Sequence, residues 1–213
     1  MANSSKENIL KKIRQALARP VPVPFPQSEG NDSLFHPLQQ DIEIEFAENF
    51  SKLQGRFSFC SDEKELIIQL NALINTRKWT KVYCREDGLK KALSSNGFNN
   101  FKAMDISSCE ASITSCELLI ARTGSILMSS AQQSGRTTSV YAPVHICIAY
   151  TDQLVYDIKE GLQFIKEKYA GNIPSFITLA TGPSRTADIE KTLVVGVHGP
   201  KEVFCFLVDN SPR

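Results

Sequence analysis

The sequence predicts an α/β fold built on a mostly parallel β-sheet, with an antiparallel hairpin inserted beside it. Helix and strand patterns alternate through the first hundred residues, which is the arrangement that produces parallel sheets. The pattern then changes to small polar residues separating short apolar runs, which predicts the hairpin. One long helix pattern and two further strand patterns follow toward the end of the chain.

The overall composition is that of an ordinary globular protein. The chain has 213 residues, of which 42% are hydrophobic and 22% charged, and one main domain is expected. A net charge of +1 without blocks of like charge argues against a nucleic-acid binder or an electrostatic membrane binder. No apolar run approaches the ~20 residues of a membrane span, and the polar N-terminus lacks a signal core. These features predict a cytoplasmic protein.

An N-terminal arm precedes the main pattern. Ser4–Ala18 has the periodicity of an amphipathic helix, and the alternating prolines of Arg19–Pro26 favour an extended linker. Residues 1–26 are therefore predicted to form the arm and residues 41–210 the α/β domain. Two interpretations of the arm stay open: it is mobile, or its apolar stripe packs on the core or on another subunit.

The elements of the first half follow from periodicity and turn signals. Three helices and three strands are predicted: helices Asp41–Leu53, Asp62–Asn75 and Asp87–Ser95, and strands Arg56–Cys60, Thr80–Cys84 and Lys102–Ile106.

The second half contains shorter apolar runs. Thr123-Gly124 is expected to form the turn of the hairpin, between two short strands. The predicted elements are strands Leu118–Ala121, Ile126–Ser129, Val144–Ala149, Ile173–Ala180 and Val203–Val208, and helix Gln153–Ala170.

The six cysteines predict neither a disulfide framework nor a metal site. Four of them lie in apolar strand-like runs, where cysteine behaves as a small buried hydrophobe. None form a C-x-x-C pair, and iron–sulfur or zinc sites need clustered ligands. No cofactor is therefore expected on this chain. The cysteines are Cys60, Cys84, Cys109, Cys116, Cys147 and Cys205.

The richest polar stretch is TGPSRTADIEKTLVVGVHGP at Thr181–Pro200. Its first part follows a strand and is predicted to open a short helix, whose free N–H groups and guanidinium suit a phosphate or carboxylate. A capped turn with an Arg185–Asp188 pair is the alternative, and acids in the same turn weaken the case for an anion pocket. The candidate binding residues here are Gly182, Pro183, Ser184, Arg185, Thr186 and Gly199.

Two other polar turns are expected to complete the same cleft. Glycines let a backbone approach a ligand closely, although they also simply form turns. Neither turn has the spacing of a phosphate-binding glycine loop, and no serine lies in a nucleophile elbow, so a serine hydrolase is not predicted. The residues are Thr123, Gly124, Ser125, Gly135 and Arg136.

Two histidines and two acids are the candidates for acid–base work. His145 enters an apolar strand and His198 lies between two glycines. A lone histidine is more often structural than catalytic, but two at one cleft improve the odds that one acts. Asp188 and Glu190 complete the candidates. A zinc site from His145, His198 and Asp188 is unsupported by the spacing.

Five segments, in this order, resemble the LUD-domain family, which is typified by lactate utilisation protein C. They read LLIARTGSI, GR, APVHICIA, TGPSRTADIE and GVHGP. The resemblance implies a Rossmann-like sheet with helices on both faces, similar to the sugar-phosphate isomerase and CoA-transferase group. It also implies a context in the oxidation of L-lactate to pyruvate, where partner subunits carry iron–sulfur clusters.

Two functional expectations follow. The first is a ligand-binding or regulatory subunit that supports oxidation of L-lactate or a related 2-hydroxy acid and binds a small anion. The second is a stand-alone isomerase-like or transferase-like enzyme for a phosphorylated or CoA-linked molecule, in which Arg136 or Arg185 holds the anion. One departure from the family is Arg122, where an acidic residue is usual. The oligomeric state is left open.

Overall fold

The computed structural model describes residues 5–18, 37–38, 40–186 and 194–211. The chain divides into two parts after Pro37. In the first part, α1 spans Ser5–Leu17, which confirms the amphipathic helix. The proline-rich run Arg19–Pro26 lies outside the described residues, and the predicted domain boundaries stay a prediction.

Five helices of the second part are described, three of them close to the predicted bounds. The first turns of those three are acidic, and α3 is capped by Asp62, whose side chain accepts a hydrogen bond from Glu65 N at 2.9 Å. The helices are α2 Ile42–Lys52, α3 Glu63–Arg77, α4 Asp87–Ser95, α5 Thr138–Tyr141 and α6 Ile158–Lys168.

The strands form two sheets and one small ribbon. They are β1 Arg56–Cys60, β2 Val82–Cys84, β3 Ala111–Thr114, β4 Leu118–Ile120, β5 Ser125–Ser129, β6 Val144–Tyr150, β7 Leu154–Val155, β8 Ile177–Ala180, β9 Arg185–Thr186, β10 Val194–Val195 and β11 Glu202–Val208.

The central sheet is entirely parallel, as predicted, with the order β1-β11-β6-β3-β2. Its third strand was predicted at Lys102–Ile106 but lies at Ala111–Thr114. The earlier segment is open to solvent, with Met104 95% exposed, whereas the small residues of β3 are all buried. The small polar side chains of Ser112 and Thr114 fit there because α5 and the neighbouring strand β6 supply their hydrogen-bond partners.

The second sheet has the order β7-β4-β5-β8 and contains the predicted hairpin. β4 and β5 are antiparallel, and so are β5 and β8. The strand predicted at Ile173–Ala180 therefore belongs to this sheet rather than to the parallel one. The helix predicted from Gln153 begins only at Ile158, because Leu154 and Val155 pair with β4 first.

Alternation along β6 shows how the layers stack. Ile146 and Ile148 face α3 and α4 in one core cluster. Cys147 and Ala149 face the other way, toward α2 and the second sheet. On the far side of the second sheet, α6 buries Ile165. Helices thus lie on both faces of the parallel sheet. Burial of each fully buried aromatic side chain of α2 stabilises the folded state by about 1.5–3 kcal/mol.

None of the described helices combines the length and the apolar character needed to cross a membrane.

Candidate functional site

The turn between β4 and β5 is held against the end of α2. Gly124 closes it with φ = +57°, and a Cβ atom there would lie 2.4 Å from Phe50 N. Only glycine fits this contact without a shift of the backbone. Asn49 Nδ2 donates to Ala121 O at 3.0 Å and to Arg122 O at 3.3 Å. These contacts fix the turn in one place.

Three hydroxyl groups join this turn to the start of the GPSRT segment. Thr123 Oγ1 and Ser125 Oγ are 2.8 Å apart, and Ser125 Oγ lies 2.9 Å from Thr181 Oγ1. Gly182 follows, and a Cβ atom there would lie 2.6 Å from Leu53 O. Two turns separated by more than fifty residues therefore meet at the end of α2.

Arg185 lies in an extended segment rather than at the start of a helix. β9 pairs antiparallel with β10, so the predicted helix does not begin at Ser184 or Arg185, and the rest of that prediction, from residue 187 on, lies outside the described residues. The reason is a set of long-range backbone bonds: Ser184 N donates to Pro200 O at 2.9 Å, and Gly196 N donates to Ser184 O at 2.9 Å. Arg185 Nη2 donates to Leu53 O at 2.5 Å.

The two candidate acids of this segment, Asp188 and Glu190, lie outside the described residues. The alternative ion pair between Arg185 and Asp188 lies outside them as well.

Beside Ser184 a cavity of about 480 Å³ opens. Its floor is backbone of Gly196 and Gly199, and a Cβ atom on Gly199 would lie 2.9 Å from Ser184 Cβ. Lys201 N donates to Pro143 O at 2.8 Å, which joins the two walls. The side chains that line it are Val140, Tyr141, Pro143, Val197, His198 and Lys201. Below, this cavity is called the GVHGP cavity.

The GVHGP cavity lies at the amino ends of the parallel strands. Pro143 directly precedes β6, and Lys201 directly precedes β11. Ligands of open α/β sheets bind beyond the carboxyl ends of the strands, and both Thr123–Ser125 and Gly182–Thr186 follow strands in the sequence, which predicts that they lie at such ends. Gly182–Thr186 instead follows β8, which is antiparallel to its neighbour β5, and His198 comes before β11.

Gly135 and Arg136 lie apart from these turns. Arg136 Nη2 donates to Ser175 Oγ at 2.6 Å, and its guanidinium stands over the Phe176 ring at 5.6 Å. These residues precede β8, at the opposite end of the β5–β8 pair from Thr181. A Cβ atom on Gly135 would lie 3.4 Å from Arg85 Nη1. No contact of the described residues joins Arg136 to the hydroxyl cluster; its role in binding stays a prediction.

The two candidate histidines have different environments. His145 is 1% exposed and its Nε2 is hydrogen-bonded to Thr114 Oγ1 at 2.8 Å. Burial lowers the pKa of His145 to about 4, which keeps the ring neutral at pH 7. Its Nδ1 has no hydrogen-bond partner among the described residues. This environment is that of a structural histidine, whereas His198 is exposed and lines the GVHGP cavity.

Sequence reasoning missed the buried carboxylate Glu117. It accepts hydrogen bonds from Ser129 Oγ at 2.5 Å, Tyr169 OH at 2.8 Å and Lys168 Nζ at 2.8 Å. These bonds fasten the end of α6 to the second sheet. The available signal was a single acid inside the apolar run SCELLIA, since an acid in such a run needs partners when it is buried.

A second missed carboxylate, Glu86, follows β2. It is buried and accepts hydrogen bonds from both Ser115 N, at 2.9 Å, and Ser115 Oγ. Gln132 extends the connection, since its Nε2 donates to Ser115 Oγ at 3.2 Å and its Oε1 accepts from Ser129 N at 3.0 Å. The two buried carboxylates are therefore joined by one hydrogen-bonded chain.

All six cysteines are free and buried, which confirms the burial predicted for the four that lie in apolar strand-like runs. Cys116, Cys147 and Cys205 lie together between the two sheets, although the sequence disperses them. Hydrogen bonding to Cys147 and burial raise the pKa of the Cys116 thiol well above its ordinary value. In the described part of the chain, no three histidine, cysteine or acidic side chains gather as metal ligands would.

Comparisons with known proteins agree with the resemblance carried by the motifs. Residues 101–208 match the family model for the LUD domain. Lactate utilization protein C of Bacillus licheniformis is 36% identical over 100 residues, which cover 46% of this chain and 42% of that protein. The chain thus matches less than half the length of that relative. Lactate utilization protein C 1 of Bacillus mycoides is 25% identical over 99% of this chain and 100% of its own.

The fold also has a counterpart among solved structures. A DUF162 family protein from Deinococcus radiodurans superposes with a TM-score of 0.58 at 18% identity, covering 81% of this chain and 99% of that one. At this identity the likeness concerns the fold alone. Since the LUD domain model spans 108 of the 213 residues (208 − 101 + 1), which is half of the chain, the protein belongs to the LUD domain family.

Proposed function

We propose that this protein takes part in lactate utilisation. In this role it supports the oxidation of L-lactate, or a related 2-hydroxy acid, to pyruvate as a ligand-binding or regulatory subunit. Its partner subunits carry the iron–sulfur clusters. The observation that carries the proposal is the end-to-end alignment with a relative named lactate utilization protein C 1, over 99% of this chain.

The geometry at the end of α2 supports binding of a small anion. Arg185 is exposed and donates one N–H to Leu53 O, and a guanidinium carries five N–H donors. A guanidinium and a carboxylate form strong paired hydrogen bonds. Thr181 is exposed and its hydroxyl, held by the buried Ser125 Oγ at 2.9 Å, suits the hydroxyl group of a 2-hydroxy acid. The predicted binding residues Thr123–Ser125 and Gly182–Thr186 are thus grouped around one end of one helix.

A second candidate function is a stand-alone enzyme acting on a phosphorylated or CoA-linked small molecule. It is favoured by one observation: His198 and Lys201 both line the GVHGP cavity, where an imidazole can exchange protons and an ammonium can hold an anion.

Gene deletion in the source organism tests the proposed function. Loss of the protein should abolish growth on L-lactate as sole carbon source, leave growth on pyruvate intact, and be reversed by the wild-type gene. A tagged protein from lactate-grown cells should co-purify with iron-containing partners. Normal growth of the deletion strain on L-lactate would refute the proposal. Turnover of a phosphorylated or CoA-linked substrate by the isolated chain would favour the second candidate.

A further inference from the structure

The GVHGP cavity is too large for the small acid that the proposed function concerns. Its volume of about 480 Å³ falls within the ~300–1,000 Å³ of pockets that hold drug-sized ligands. Lactate has only about six non-hydrogen atoms, while one water molecule takes up ~30 Å³ of liquid. Lactate would therefore leave most of this cavity filled with water, and a larger ligand fits it better.

The walls of the cavity combine an apolar side and a cationic side. Tyr141 is 67% exposed and Val197 47% exposed, so both present apolar surface to the cavity. The cationic side holds Lys201, which forms no ion pair with any described residue, and His198. None of the described residues that line the cavity is acidic. The neighbouring acid in the sequence, Glu202, is already paired with two arginines, at 2.9 and 2.6 Å.

The cationic side is held in position by the backbone. Gly196 has φ = +79°, and a Cβ atom there would lie 2.2 Å from Lys201 Cγ. The first part of the lysine stem therefore lies against a residue with positive φ and no room for a Cβ atom. Backbone hydrogen bonds from Ser184 N to Pro200 O and from Lys201 N to Pro143 O hold the surrounding loops. The described walls are therefore formed before any ligand arrives.

We propose that the GVHGP cavity binds a nucleoside phosphate, with the phosphate on Lys201 and His198 and the base against Tyr141. An ammonium group and an imidazole suit a phosphate, and every nucleobase has a π-face that stacks on an aromatic side chain. A phosphate alone would leave the apolar side bare, and an apolar molecule alone would leave the cations unpaired. This inference rests on the regulatory role proposed above, since it names the ligand through which that role is exerted.

Calorimetric titration of the purified full chain tests the inference, with ADP as the probe. ADP should bind saturably, and adenosine, inorganic phosphate and L-lactate should each bind at least about tenfold more weakly. Lys201→Gln should weaken ADP binding about tenfold or more, and Tyr141→Ala about fivefold or more. Lys64→Gln is the matched control, because Lys64 is exposed in the first turn of α3, near the carboxyl ends of the strands.

Three outcomes would overturn the inference. The first is that ADP shows no saturable binding up to about 1 mM. The second is that Lys64→Gln weakens ADP binding as much as Lys201→Gln does. The third is that lactate binds in a way that depends on Lys201 while ADP does not bind. Both test positions are exposed, so circular dichroism should show unchanged folding. If ADP fails to bind while deletion still abolishes growth on L-lactate, the nucleotide inference fails and the proposed function stands. If ADP binds while the deletion strain grows normally on L-lactate, the cavity is a nucleotide site and the proposed function fails.

Discussion

Arg122 and Asp157 are joined by a charge-assisted hydrogen bond of 2.6 Å between Nε and Oδ2. Asp157 is also the N-cap of α6 and accepts a second bond from Lys159 N at 2.9 Å. The turn between β4 and β5 is thereby tied to the start of α6. Arg122 therefore serves to anchor a helix in this protein.

Replacing Arg122 with alanine should lower the free energy of unfolding by about 1–2 kcal/mol. A hydrogen bond to a charged group contributes ~1.5–3 kcal/mol, and the partial exposure of this pair reduces the effect. Urea denaturation measures the change. Lys64→Ala, at an exposed site on α3, is the control and should stay within ~0.5 kcal/mol of the wild type. An Arg122→Ala variant as stable as that control would contradict the anchoring role.

Glu117→Ala should lower the free energy of unfolding by more than Arg122→Ala does, by about 2–4 kcal/mol. The reason is that the buried carboxylate accepts hydrogen bonds from three partners, which would lose their acceptor. Lys168→Met should cost less, since Lys168 is 46% exposed and its stem is retained. Chemical denaturation of both variants and of the double variant gives the coupling free energy between the two residues. Strictly additive effects would show that the pair does not interact.

His145 should make stability depend on pH. Burial lowers the pKa of His145 to about 4, below the ~6.5 of an unfolded chain, so between these values the unfolded state binds more protons. The contribution of the neutral His145 ring to the free energy of unfolding is therefore fully present above pH ~6.5 and is lost as the pH falls toward 4. At pH 5 the loss should be about 2 kcal/mol relative to pH 7. Unfolding of wild type and His145→Gln at both pH values measures it, and identical pH slopes would contradict the expectation.

Local patterns predicted the elements whose own residues carry the signal. The bounds of α4 and β1 match the prediction, because capping, periodicity and turn residues act within one segment. β3 was missed because it lies in a stretch, Ser107–Ser115, that is rich in small polar residues, and it is buried only by strands and a helix from other segments. Strand direction is likewise a property of the partner, so the pattern of Ile173–Ala180 predicts a strand but not the antiparallel pairing of β8 with β5.

The candidate site was predicted in part for the same reason. The glycine turns at Gly124 and Gly182 were recognised from sequence, and the structure brings both to the end of α2. The separate location of Arg136 depends on its bond to Ser175, 39 positions away, and no local pattern encodes that contact. Glu117 is similar, since its partners Lys168 and Tyr169 lie more than fifty residues further on.

Gly124→Ala should destabilise the protein by more than about 2 kcal/mol. The new methyl group would combine positive φ with a contact of 2.4 Å to backbone of α2, which a side-chain rotation cannot relieve. Gly88→Ala is the matched control, because Gly88 lies in α4 with open space around it. Alanine there should stabilise the protein slightly, since it is the better helix former. Thermal unfolding of both variants measures the difference, and equal effects would contradict the packing described for Gly124.

Arg185→Ala distinguishes a binding role from a structural one. If the guanidinium binds an anion, the variant should bind L-lactate or pyruvate at least about tenfold more weakly, a loss of ~1.4 kcal/mol. Its stability should change by less than about 1 kcal/mol, because the bond to Leu53 O is exposed. Calorimetric titration and urea denaturation of the same preparations separate the two effects, with Lys64→Ala as the control for charge. A variant that loses stability while binding either acid as tightly as the wild type would assign Arg185 to fastening β9 onto the end of α2, and would remove it from the proposed site.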